Sequence, residues 1–342
     1  MVISKEDFLS YLYKLSQENK IQVIIPELNN INNNNERTFY FSLLKENSKP
    51  ELNSYRTVDP AKILFYLFRE KVLPVAQQFP QRIVLGIKEC DLKSIKLLDT
   101  ALTGSGFIDP VYKAWRDNTL IISSDCYDIH QTCSCNLVDG LPYPTEGFDI
   151  NISSINGSLI LQVGSDKGKE FLENLKKEFT IREANSNELE EITKKRNETL
   201  EKLNEKNAHL MTDKNYSEFR KVDMTLWHEE SKTCIGCGAC TNICPTCYCL
   251  ILNDESESNS FVKVRTYDSC QWYGYARVAG GGTPRPKMTE RFRHRYLCKF
   301  DYMVKNFNLL GCTGCGRCTE ACAGKIDFRE VVKKVSSAVI KV

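Results

Sequence analysis

Residues 234–245 read Cys234-Ile235-Gly236-Cys237-Gly238-Ala239-Cys240-Thr241-Asn242-Ile243-Cys244-Pro245. The pattern returns as Cys312-Thr313-Gly314-Cys315-Gly316-Arg317-Cys318-Thr319-Glu320-Ala321-Cys322. Each run has the spacing C-x2-C-x2-C-x3-C, which serves paired 4Fe–4S clusters whose fourth cysteines are exchanged. Three thiolates two residues apart wrap one corner of a cubane, while the fourth is carried away by the chain that follows. Gly236, Gly238, Gly314 and Gly316 supply the unhindered backbone of such tight loops. Their amides can then face the sulfurs and help set the potential. By the exchange rule Cys234, Cys237, Cys240 and Cys322 hold one cluster, and Cys312, Cys315, Cys318 and Cys244 hold the other. Structural zinc is the competing reading, but zinc usually takes two separated C-x2-C pairs, not two close quartets. Cys322 is followed by Ala323 where the pattern normally has proline, which weakens a cap and removes no ligand.

About 68 residues separate the two runs, far more than a compact two-cluster protein needs. This insertion carries Cys247, Cys249, Cys270 and Cys298. These thiols either ligate an additional cluster or sit as buried, inert cysteines, the latter being the plainer expectation. Arg291-Phe292-Arg293-His294-Arg295 and Lys299 form a basic strip, suited to balancing local cluster charge or receiving an acidic partner. Ala279-Gly280-Gly281-Gly282 neither follows a predicted strand nor fits G-x-G-x-x-G, so it is not read as a nucleotide loop.

Upstream, residues 1–165 alternate β-like runs with helical patterns and predict an α/β domain. The runs at 21–25, 38–42, 82–87, 119–123 and 159–163 are read as strands. Asp59-Pro60 reads as a helix start continuing through residues 61–72, and Asp91 as the opening of a second helix. The asparagine-rich stretch 29–35 reads as a flexible surface loop. Cys90 and Cys126 each close a predicted strand, and in a parallel sheet both fall at the carboxyl edge, where ligands bind. With Cys133 and Cys135 on the following loop they form a candidate third 4Fe–4S site. Buried cysteines beside a zinc site are the alternative.

Residues 166–230 are strongly charged, with Leu189, Ile192, Leu200 and Leu203 as a sparse apolar seam, and read as a helical linker. Residues 231–342 then form an α-helical, two-cluster ferredoxin-like domain with an insertion. The chain has 16 cysteines and 4 histidines, which favours all-thiolate metal sites in a reducing cytoplasm. Its net charge of +2 gives no field for nucleic acid. No apolar run reaches the ~18 residues of a spanning helix, so neither nucleic acid nor membrane is an expected partner.

With these residues in view, the chain resembles the iron–sulfur beta subunit of archaeal and bacterial sulfhydrogenases, and equally the iron–sulfur subunit of anaerobic sulfite reductase. In the N-terminal half the likeness rests on Arg56-Thr57-Val58-Asp59-Pro60, Glu89-Cys90-Asp91-Leu92, Asp109-Pro110, Asn118-Thr119-Leu120 and Thr132-Cys133-Ser134-Cys135. It continues in Cys244-Pro245-Thr246-Cys247-Tyr248-Cys249, Asp268-Ser269-Cys270, Arg277-Val278-Ala279-Gly280-Gly281, Arg291–Arg295 and Gly314-Cys315-Gly316-Arg317-Cys318. The resemblance implies a relay subunit, with a companion that binds FAD and takes electrons from NAD(P)H. Another companion would carry the catalytic centre, sirohaem in the reductase or nickel–iron in the hydrogenase. General likeness favours the sulfite reductase complex. From another class, the alternatives are a small-molecule reductase acting at its own cluster or flavin, and a zinc-stabilised interaction module.

Overall fold

The computed structural model describes residues 1–18, 21–31, 37–104, 106–214 and 216–339. Its first half is built on a seven-stranded sheet. The elements begin with β1 (Val2–Ser4), α1 (Lys5–Glu18), β2 (Gln22–Ile31), β3 (Arg37–Leu43), β4 (Arg69–Leu73) and β5 (Arg82–Ile87). They continue with α2 (Glu89–Thr103), α3 (Pro110–Asp117), β6 (Thr119–Ser124), β7 (Ile150–Ile155) and β8 (Ser158–Val163). The strand order is β1-β8-β7-β6-β5-β2-β3. Strands β2, β5, β6 and β7 run parallel, and β3, β8 and β1 close the two edges antiparallel. Strand β5, Arg-Ile-Val-Leu-Gly-Ile, is buried throughout, as a central parallel strand covered on both faces must be.

Alternation along the strands divides the core in two. Ile83, Leu85, Ile122 and Ile150 face Phe8 and Leu12 of α1 and Phe171, Leu172 and Leu175 of α4 (Asp166–Lys176). Val84, Ile87 and Ile121 face Leu92, Ile95 and Leu98 of α2, together with Tyr112 of α3. Helix α5 (Ser186–Asn207) follows, opened by a capping box between Asn185 and Glu188. The charged stretch 166–230 therefore contributes to the sheet's core through α4. Of the predicted seam on α5, Ile192 and Leu203 are buried and Leu189 is exposed.

The second half has α6 (Met224–Ser231), α7 (Ala239–Asn242), β9 (Leu250–Glu257), β10 (Ser260–Tyr267) and α8 (Met288–Leu297). A π-helical turn, Cys298–Tyr302, then leads into α9 (Met303–Phe307), α10 (Arg317–Glu320) and α11 (Phe328–Val339). Trp227, Phe292, Tyr296, Phe300, Phe328 and Val331 form its core.

Four sequence expectations need correction. Residues 61–72 do not form one helix: Ala61–Leu64 makes a single 3-10 turn and β4 follows. Strand pairing overrides helical spacing here, because β10 pairs β4 on one side and β9 on the other. The buried Arg265 of β10 is ion-paired to Glu70 (2.6 Å) and to Asp109. The C-terminal part is accordingly not purely helical, since its insertion supplies this hairpin. Cys90 does not end a strand but lies in the first turn of α2, which starts two residues before Asp91. Of the asparagine-rich stretch, Asn29 and Asn30 lie in β2, which runs to Ile31, while residues 32–36 lie outside the described residues.

Candidate iron–sulfur sites

The two cysteine loops have nearly the same backbone. Gly236 and Gly238 have φ of 67° and 80°, and Gly314 and Gly316 have 65° and 76°, all in the left-handed region. These turns aim amides at sulfur: Gly236 at Cys234, Gly314 at Cys312, and Arg317 at Cys315. Helices α7 and α10, opened by Gly238 and Gly316, pack on each other. The backbone around Gly324 returns to Thr233, so close that a Cβ there would meet the Thr233 carbonyl at 2.3 Å. That return carries Cys322 back to the first loop.

The thiols group accordingly. Cys234 lies within Coulomb reach of Cys322 and Cys237, and Cys240 within reach of Cys234 and Cys322. Cys312, Cys315 and Cys318 each lie within reach of Cys244, and all four line one cavity. Cys240 also neighbours Cys244, which joins the two sets. Burial pushes the Cys312 thiol up to about 12 and Cys318 to about 11. As bare thiols they would stay protonated at neutral pH, whereas metal ligation deprotonates a thiol outright.

Arg295 stands between the two sets, donating to the Cys240 carbonyl (3.3 Å) and stacking 4.3 Å from the Phe328 ring centre. It is buried, its Nε has no hydrogen-bond partner among the described residues, and the thiols of Cys240, Cys318 and Cys244 face it. An unpaired buried cation with an orphaned donor is expensive in a neutral surrounding. Four thiolates on a 4Fe–4S core carry the net negative charge that satisfies it, so the residues present fit the cluster. The basic strip thus divides: Arg291 and Arg295 point inward, and Arg293 caps the Arg220 carbonyl at the surface (2.7 Å).

The four N-terminal cysteines converge as well. Cys90, Cys126, Cys133 and Cys135 line one cavity, and Cys315 of the second loop shares it. The Thr132–Cys135 turn is docked on that loop, with Ser134 N donating to the Gly314 carbonyl at 2.8 Å. A Cβ on Gly314 would come within 2.4 Å of the Ser134 carbonyl, and one on Gly316 within 2.3 Å of the Thr132 carbonyl. Glycine is therefore required here by contact as well as by φ.

Several cations that the sequence did not single out as site residues hold this junction. Arg56 Nε donates to the Cys315 carbonyl (2.7 Å), and its guanidinium pairs with Glu320. Arg317 is bidentate to Asp91 of α2 (2.9 and 2.8 Å), with both residues buried. Buried Lys88 donates to the Leu52 and Asp125 carbonyls (2.7 and 3.0 Å) beside Cys126 and Cys90. Lys206 and Asn207, at the end of α5, both donate to the Cys133 carbonyl, at 2.9 and 3.0 Å. No local spacing signals these roles; a lysine facing solvent and one facing a thiol look alike in sequence.

Residues 233–326 match the family described as the 4Fe-4S dicluster domain. The chain is also 30% identical, over 315 residues, to sulfhydrogenase 2 subunit beta of Pyrococcus furiosus. That alignment covers 89% of this chain and 90% of the relative. The chain belongs to the sulfhydrogenase beta-subunit family. Membership supports 4Fe–4S clusters as its cofactors, as the doubled motif leads one to expect. No solved structure matches it. Between the two complexes raised by resemblance, the relative carries the name of the hydrogenase, the alternative, and not of the favoured sulfite reductase. No helix among the described residues is long and apolar enough to cross a membrane.

Proposed function

We propose that this chain is the iron–sulfur relay subunit of a sulfhydrogenase-type complex, passing electrons between a flavin-binding partner supplied by NAD(P)H and a nickel–iron catalytic partner. The observation that carries this reading is the placement of Cys322 beside the thiols of the first glycine-shaped loop and of Cys244 beside those of the second. Cys234, Cys237, Cys240 and Cys322 form one ligand set, and Cys312, Cys315, Cys318 and Cys244 the next. Cys90, Cys126, Cys133 and Cys135 form a third against Cys315. The clusters supply one-electron chemistry; the chain supplies ligands, buried cations and amide dipoles that tune potentials.

The three sets neighbour one another in succession, the N-terminal quartet meeting the second loop at Cys315 and the second loop meeting the first where Cys244 neighbours Cys240. Among the described residues Cys237 of the first loop is the one exposed cysteine, and Ile235, Tyr273 and Val278 are exposed too. An electron leaves or enters most readily where a ligand meets solvent, so this end suits a partner's docking.

Anaerobic purification of the full chain, with iron and acid-labile sulfide counted, tests the reading. Three clusters require at least about twelve irons per chain. Cys126→Ala should remove about four of them, and an unchanged count rejects the N-terminal site. A co-purifying nickel protein with hydrogen-dependent viologen reduction supports the hydrogenase assignment. Sirohaem absorbance in the co-purified complex would overturn it in favour of sulfite reductase, and NAD(P)H turnover by the chain alone would overturn the relay role.

A further inference from the structure

The insertion's own cysteines are brought together by the fold. Strand β9 begins at Leu250, paired with Tyr267 at the end of β10, and Asp268 N donates to the Cys249 carbonyl at 2.9 Å. The open end of this hairpin therefore sets Cys249 beside Cys270. Cys298 begins the π-helical turn after α8, a local distortion that often marks a functional site. Cys270 lies within Coulomb reach of Cys249 and Cys298, Cys298 of Cys249, and Cys247 of Cys270. We propose that Cys247, Cys249, Cys270 and Cys298 ligate a further 4Fe–4S cluster beside Cys244. This rests on the relay reading and extends it by a branch.

Charge supplies the second argument. Lys62 and Lys299 are fully buried, and neither has a carboxylate within ion-pair distance among the described residues. Lys62 Nζ donates to the carbonyls of Cys247 (3.0 Å) and Asn242 (3.3 Å) and lies 4.4 Å from the Tyr267 ring centre. Lys299 Nζ donates to Thr246 Oγ1 at 2.7 Å. The thiols facing Lys62 are Cys247, Cys244 and Cys249, and those facing Lys299 are Cys244, Cys247 and Cys298. Two ammonium groups out of water need anions, and neutral thiols offer none. One cluster at Cys244 and a second at the insertion quartet give each lysine a negative neighbour.

The sulfurs also have hydrogen-bond donors waiting. Gln271 Nε2 donates to Cys270 Sγ at 3.4 Å, and the Tyr275 hydroxyl lies 3.8 Å from Cys249 Sγ. A single zinc ion fits less well. Zinc–sulfur bonds of about 2.3 Å draw four sulfurs to about 3.8 Å from one another. Among the described residues no three Cys, His, Asp or Glu side chains converge that way. A cubane carries each thiolate on a separate iron and accepts the wider set.

The test is iron, sulfide and zinc analysis of the anaerobically purified full chain and its variants. The parent should hold about sixteen irons and no stoichiometric zinc. Cys270→Ser and Cys298→Ser should each lose about four irons, and the double variant the same four, not eight. A parent with about twelve irons that keeps all twelve in Cys270→Ser and loses four in Cys126→Ala, or one with those twelve and one zinc, sinks this site while leaving the relay standing. A parent without labile sulfide sinks the relay itself. Where one insertion variant fails to fold, the iron count of the other decides the matter.

Discussion

Replacing Arg317 by methionine removes the best-buried link between the sheet and the cysteine loops. The guanidinium makes two bonds to Asp91, at 2.9 and 2.8 Å, and three to the carbonyls of Thr57, Val58 and Asp59, at 3.1, 3.0 and 3.3 Å. In Arg317→Met the Asp91 carboxylate, 1% exposed, keeps the Ala61 amide at 3.2 Å as its backbone donor. Breaking a buried pair from one side costs about 3–5 kcal/mol. Replacing both partners with apolar groups of similar volume costs far less, because no charge is stranded. Arg317→Met/Asp91→Leu should therefore be more stable than Arg317→Met alone by about 2 kcal/mol or more. With a urea m-value of about 3 kcal/mol/M, the single variant's midpoint falls about 1 M or more below the parent. The assay is anaerobic urea unfolding followed by tryptophan fluorescence, with iron counted in the same samples. A double variant less stable than the single one, at equal iron, would refute the reasoning.

Other consequences are open to equally direct measurement. Gly314→Ala forces a Cβ to within 2.4 Å of the Ser134 carbonyl at a φ of 65°, and should cost about 1–3 kcal/mol in stability. Iron content and melting temperature both matching the parent would contradict that contact. Lys299→Met removes a buried positive charge beside Cys244, Cys247 and Cys298. One cluster potential should fall by on the order of 100 mV, as a unit charge some 6 Å away at an effective dielectric near 20 implies. Potentiometric titration that finds every midpoint unmoved rejects the assignment. Oxidative removal of the clusters should release hydrogen-exchange protection around residues 234–249 and 312–326, where the regular helices are the short α7 and α10. Protection in β5 and β6, which rests on the apolar core, should persist.

How much was legible in the sequence follows from how local each signal is. The paired cysteine runs are local, since spacing of two and three residues and glycines at fixed places suffice to define both loops. Strands β5 and β6 announced themselves by unbroken apolar runs, and α2 by its period. The chain could not disclose that β4 is a strand, because Arg69–Leu73 becomes one by pairing with a hairpin nearly 200 residues later. Nor could it disclose that Thr132–Cys135 docks on Gly314, or that Lys62, Lys88, Lys206 and Arg317 turn inward toward thiols. Those facts depend on burial, and burial depends on which distant surfaces meet. The sequence thus determined which atoms can bind iron; tertiary packing decided which thiols face one another and which cations balance them, because charge and contact act through space.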